Sequence, residues 1–105
     1  MPTVEELISR MQAKAGELKR LGYRVRFDLT DTDECILVDG TAGGEGIREA
    51  TSADEADTIL MLTAANMEKL MAGKLNPMLA FATGKLKVEG SKGVAMKLAS
   101  LLDED

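Results

Sequence analysis

Two Gly-Lys pairs, Gly73-Lys74 and Gly84-Lys85, are the residues of this chain that first suggest chemistry. A phosphate loop of the form G-x-x-x-x-G-K-[ST] wraps phosphate in backbone N–H groups and sets a hydroxyl on magnesium. Its earlier glycine would fall at Glu68 for the first pair and Leu79 for the second, and the hydroxyl positions hold Leu75 and Leu86. Both pairs also close helical patterns instead of opening them, so the phosphate reading fails. Metal chemistry has little to use, because the chain has no histidine and one cysteine. Asp31 and Asp33 echo the start of a calcium loop, but Cys35 and Ile36 stand where that loop needs an acid or amide and then glycine. They read as turn residues. Without histidine, a nucleophilic Ser or Cys would need a lysine or carboxylate base, and no spacing supplies one. Cys35 in the run CILV reads as an inert core thiol. No catalytic residue, metal ligand or cofactor is assigned, and the expectation is that the chain is not an enzyme.

Charge narrows the partners. The net charge is −5, and residues 28–57 hold ten carboxylates against the single base Arg48. Such a surface repels nucleic-acid phosphate, and three aromatic residues without tryptophan leave little for base stacking. Arg10, Lys14, Lys19, Arg20, Arg24 and Arg26 cluster near the start as a solvated helix face running into a strand. No apolar run is long enough to span a bilayer. The acidic MPTVEELISRMQ does not read as a secretory leader. With a lone cysteine, the expected setting is the reducing cytoplasm. At 105 residues the whole chain, 1–105, is expected to be one domain.

The elements that must position any site are well marked. Val4, Leu7, Ile8, Met11, Ala15 and Leu18 follow one helical face, with Thr3 and Glu6 at capping-box spacing and Gly22 as terminator. Tyr23, Val25, Phe27 and Leu29 then alternate with polar residues, which predicts a half-buried strand. A turn at 31–34 leads to a strand over Cys35–Asp39, a glycine-rich connection, and a short strand near Ile47–Ala50. Thr58–Thr63 is apolar on both faces, as a central covered strand would be. Thr63 caps a helix that Gly73 ends; Asn76, with Pro77 at the first helical position, caps another that Gly84 ends. Leu86 and Val88 alternate in a strand, and Ser91 opens a last helix running to Leu102. The order α-β-β-β-β-α-α-β-α describes an α+β domain with an antiparallel-rich sheet and helices over one face.

The apolar excess lies in the second half. From Ile59 to Leu102, 25 of 44 residues are hydrophobic, including five of the seven methionines. Methionine conforms to irregular apolar shapes, bound ligands among them. The plainer account is an ordinary core. Against it, PMLAFAT at Pro77–Thr83 is apolar around most of its circumference, so this helix is either wholly buried or covers something besides the sheet.

The run from Thr58 closely resembles the C-terminal half of the sterol carrier protein 2 (non-specific lipid-transfer) family. The resemblance rests on Gly73-Lys74-Leu75, Asn76-Pro77, Ala80-Phe81, Gly84-Lys85, Gly90 and the closing Leu98, Leu101 and Leu102. The first 57 residues match in layout, with Asp39-Gly40 and an acidic connection. The resemblance implies a five-stranded mixed sheet, and between sheet and helices an apolar tunnel taking sterols, fatty acids or fatty acyl-CoA for transfer without catalysis. The chain looks like a freestanding prokaryotic member. Two departures stand out: Asp103-Glu104-Asp105 replaces the family's peroxisomal small-basic-leucine ending, and the early strands carry no tryptophan.

The resulting expectation is a carrier of a fatty acid, acyl-CoA or sterol-like lipid, with possible transient membrane contact and oligomeric state left open. Met71, Leu75, Met78, Phe81, Ala82, Val94, Leu98 and Leu102 are the expected lining residues, and Lys85 is expected to meet a head group at the rim. The alternatives are a protein–protein or dimerisation module using the same apolar surface, and an accessory domain of a lipid-processing enzyme.

Overall fold

A computed structural model of the chain describes residues 3–44 and 46–102; the acidic ending Asp103-Glu104-Asp105 lies outside them. The order is α1 (Val4–Gln12), α2 (Ala15–Leu18), β1 (Arg24–Leu29), β2 (Glu34–Asp39), β3 (Gly46–Ala50), β4 (Thr58–Leu62), α3 (Ala64–Met71), α4 (Pro77–Ala82), β5 (Lys87–Gly90) and α5 (Lys92–Leu102). This is the expected α+β order, with one refinement. The first helical pattern breaks after Gln12, so α1 and α2 are separate segments of one apolar stripe. Gly16 sits just past the break, where a glycine costs a continuous helix about 1 kcal/mol relative to alanine.

The five strands form one sheet in the order β3-β2-β1-β4-β5. Three neighbouring pairs are antiparallel, and β1 and β4 run parallel at the centre, with Phe27 opposite Leu60. One face carries Val25, Phe27, Leu29, Ile36, Val38, Ile47, Leu60 and Leu62, all buried. This face and the helices share one core, into which α1 brings Val4, Leu7 and Met11, α3 brings Met67, Leu70 and Met71, and α5 brings Ala95, Leu98, Ala99 and Leu102. The helix starts are capped as read, Thr3 Oγ accepting from Glu6 N–H, Thr63 Oγ from Asn66 N–H and Asn76 Oδ1 from Leu79 N–H. Gly73 and Gly84 have φ of 74° and 80°, the left-handed region in which a side chain is strained. Both Gly-Lys-Leu triplets are therefore helix stops.

The opposite face departs from simple alternation. Arg24, Arg26 and Asp28 occupy the polar positions of β1, yet Arg26 is only 8% exposed. The β3–β4 connection, residues 51–57, crosses this face, and Ala56 packs on Cys35, Leu37 and Ala50 in a second small core. The Arg26 guanidinium holds the crossing in place. It donates to both Asp28 oxygens, at 2.6 and 2.9 Å, and to the carbonyls of Ser52 and Asp54, at 2.9 and 2.7 Å. A planar fork of five donors suits such a four-acceptor cage. Arg48 adds an ion pair with Asp54 at 3.0 Å; that bond, with a second from the Thr51 N–H, pulls the Asp54 carboxyl down to about 2.

Arg26→Met keeps most of the stem but leaves a carboxylate and two carbonyls without their donor. It is expected to lower stability by about 2–4 kcal/mol in urea unfolding, with faster amide exchange over residues 51–57. A change under about 0.5 kcal/mol would mean that the crossing does not depend on this cage.

Candidate functional site

The expected lining residues divide into three groups by position. Met71, Leu98 and Leu102 are fully buried and fill the core itself. Leu75, Phe81 and Val94 are half-buried at its margin. Met78, Ala82 and Lys85 face outward, Met78 at 67% exposure. What unites the groups is α4. Its six residues, PMLAFA, are all apolar, yet only Ala80 is buried, and Leu79 beside Met78 is 61% exposed. The helix packs chiefly on α5. Lys92 of α5 completes the seat, with Nζ 5.1 Å from the centroid of the Phe81 ring. Such an exposed cation–π contact contributes about 0.5–1 kcal/mol. α4 is thus a lightly attached apolar cover, neither wholly buried nor laid on the sheet.

An apolar cavity does lie between helices and sheet, but elsewhere. It is bounded by Gln12, Ala15, Leu18, Val38 and Ile47, under α1 and α2, and holds about 20 Å³. A pocket for a small molecule takes about 300 Å³ or more. This cavity fits no more than about one water. Grooves of about 350 and 480 Å³ lie on the far face of the sheet. The first is bounded by Arg24, Asp39, Arg48 and Asp54, the second by Asp28, Asp33, Glu34, Cys35 and Met61. The charged walls of the first suit water better than a hydrocarbon chain, and the second mixes carboxylates with Leu29, Cys35 and Met61.

Cys35 was read from the sequence as an inert core thiol. It is 6% exposed, and burial, with a further contribution from the Asp28 carboxylate, pushes its thiol up to about 11. A thiol held neutral at physiological pH is a poor nucleophile. Among the described residues no group of three or more Cys, Asp or Glu side chains could hold a metal ion.

Comparison with known proteins fixes the kinship. The SCP-2 sterol transfer family matches residues 4–103, nearly the whole chain. The chain belongs to the SCP-2 sterol transfer family. Sterol carrier protein 2 of Gallus gallus is 32% identical over 101 residues, which cover 92% of this chain and 18% of that protein. The chain therefore spans less than a fifth of the length of these curated relatives. Among solved structures, sterol carrier protein 2 from Yarrowia lipolytica (apo form) aligns with a TM-score of 0.70 at 27% identity, covering 90% of this chain and 77% of that one. The solution structure of palmitated SCP2L2 from Aedes aegypti aligns with a TM-score of 0.70 at 20% identity, covering 96% and 95%, and shares the fold. An SCP-2 domain is a lipid-binding and lipid-transfer domain, so the broad class read from the residues stands.

The sequence missed the buried Arg26 cage, because β1 alternation assigns that position to solvent; the bidentate spacing Arg26-x-Asp28 on one strand face was the available signal. The Cys35 environment sets a pH dependence. The folded thiol titrates near 11 and the unfolded one near 9.0, so the unfolded chain ionises first. Stability is expected to fall as pH rises through that window, and Cys35→Ala to remove part of the slope, in urea unfolding at stepped pH. Equal slopes in the two proteins would refute the assignment.

Proposed function

We propose that this SCP-2 domain binds a long-chain fatty acid or related acyl lipid and carries it without catalysis. The space is opened by α4 lifting from α5. One observation carries the reading: α4 is apolar throughout and seated through a single buried residue. Lifting it exposes little surface that is now dry; Phe81 on α4 and Leu75 and Val94 beside it are half-buried apolar wall. Met71, Leu98 and Leu102 would form the deeper end, with Ala82 and Lys85 at the rim.

The energetics favour such an exchange. Each methylene taken from water contributes about 0.8 kcal/mol, so ten of them supply about 8 kcal/mol gross. Association and ordering subtract from this, and the displaced helix contacts subtract more, which leaves micromolar affinity for a chain of sixteen or so carbons. Met67, Met71, Met78 and Met96 lie on α3, α4 and α5, and unbranched side chains re-pack around a new shape at low cost. Sterol and acyl-CoA are the competing cargoes within the same class. Palmitate, the acid on the Aedes aegypti neighbour, is the probe of choice. A second reading draws on the length of the relatives: in a longer protein the same domain would present lipid to a catalytic partner domain.

A fluorescent long-chain fatty acid displaced by palmitate is expected to bind the wild-type chain in the micromolar range. Phe81→Asp, at a half-buried position, is expected to weaken binding at least tenfold, since a charge on that wall must be desolvated, with a native circular dichroism spectrum. Undiminished binding by a folded Phe81→Asp protein would remove α4 from the cargo site.

A further inference from the structure

β5 is one edge of the sheet and β3 is the other. The two edges differ in what a further strand would meet. β3 packs against α1, with Gln12 Nε2 donating to the Ile47 carbonyl, and it belongs to the stretch 28–57 with ten carboxylates and one base. Two copies of a chain of net charge −5 repel one another there. Around β5 the balance is reversed: from Lys69 to Val88 the chain carries four lysines and no carboxylate, and Glu89 follows. On its inner side β5 pairs with β4, Lys87 opposite Met61 and Glu89 opposite Ile59. Alternation along the strand therefore puts the exposed Lys87 and Glu89 together on the far face, with Val88 half-buried on the core face.

We propose that β5 is a self-pairing edge, at which a second copy of the chain adds antiparallel and joins the two five-stranded sheets into one. Charge complementarity selects both the partner and the register. With Val88 opposite its own counterpart, Lys87 of each copy faces Glu89 of the other, and the two-fold axis makes that pair twice. Residues opposite one another in an antiparallel pair share a face at about 5 Å, where opposite charges attract and like charges repel. Centring the pair on Lys87 or on Glu89 sets like charges on the axis. A one-residue slip sets Val88 against Glu89 and turns the core face of one copy to the far face of the other. Lysine on an edge strand ordinarily discourages a foreign strand. Here Glu89, two residues on, supplies a counter-charge that a second copy places correctly. Strands of four residues bury little, less than the roughly 1,200 Å² at the lower end of stable interfaces, so the dissociation constant is on the order of 0.1–1 mM. The inference is independent of the cargo reading, since neither Lys87 nor Glu89 belongs to the α4 wall.

The test is sedimentation equilibrium of the chain from about 10 µM to about 1 mM. The wild-type protein is expected to pass from monomer towards dimer across that range. Lys87→Glu and Glu89→Lys each set like charges opposite one another twice, and each should weaken the dimer by about tenfold or more. An equimolar mixture of the two variants should restore association, because each then meets its opposite charge at both positions. Both substituted residues are exposed, so the circular dichroism spectrum is expected to stay native. Palmitate displacement by either variant should stay at the wild-type value, which separates failure of self-pairing from failure of the cargo reading. Amide exchange in the wild-type chain gives a readout that needs no variant: residues 87–90 should slow at the higher concentration while residues 46–50 keep their rates. A wild-type chain that stays monomeric, exchange at β5 that ignores concentration, or a variant mixture no better associated than its parts would each overturn the proposal. So would a dimer unmoved by either single variant, such as one that Leu79→Asp abolishes instead.

Discussion

The structure depends on how one apolar sheet face is covered. The parallel pair at the centre sets Phe27 beside Leu60, with Ile36 and Leu62 adjoining, and none of these side chains can be left in water. Burying a side chain of this size is worth about 1.5–3 kcal/mol, so the face recruits α1, α3 and α5 completely. Leu7, Met11, Met67, Leu70 and Leu98 are each at or near zero exposure. Once those helices are seated, the face is full. α4 finds only Ala80 a place in the core.

Among the described residues the core is filled by the sheet face with α1, α3 and α5, and α4 is left with one buried residue. A rigid hole lined by large side chains would forfeit dispersion contacts around its whole surface. A helix that is apolar on its inner and outer sides, capped by Asn76 and stopped by Gly84, is a different device. Its start is capped and its end stopped within its own sequence.

The other face of the sheet is specialised for holding still. Arg26 exchanges its hydration for four acceptors, and the crossing from β3 to β4 is thereby fixed across the polar side of the strands it spans. Arg24 joins β1 to β2 and to the crossing through Asp39 and Asp57. The directional charge network belongs to this face, and two of the large exposed apolar side chains, Met78 and Leu79, belong to α4. The two halves of the molecule are thus held by different forces, directional bonds on one side and non-directional burial on the other. Only the second kind tolerates rearrangement without leaving polar groups unpaired.

The sequence by itself determined the elements, because their signals are local. Thr3, Thr63 and Asn76 cap with their own side chains, Gly73 and Gly84 stop helices through their own φ, and the period of two along Val25, Phe27 and Leu29 needs no partner to be read. The Gly-Lys, Asn-Pro and alanine-rich pattern also placed the chain in its family. It did not reveal that Arg26 is buried, that β1 and β4 run parallel, or that Met78 faces out while Met71 fills the core. A side chain's surroundings are set by residues distant in sequence, as in the 28-residue separation between Arg26 and Asp54. Two methionines in similar apolar runs differ only in what the rest of the fold lays against them, and that comparison exists once the chain is folded.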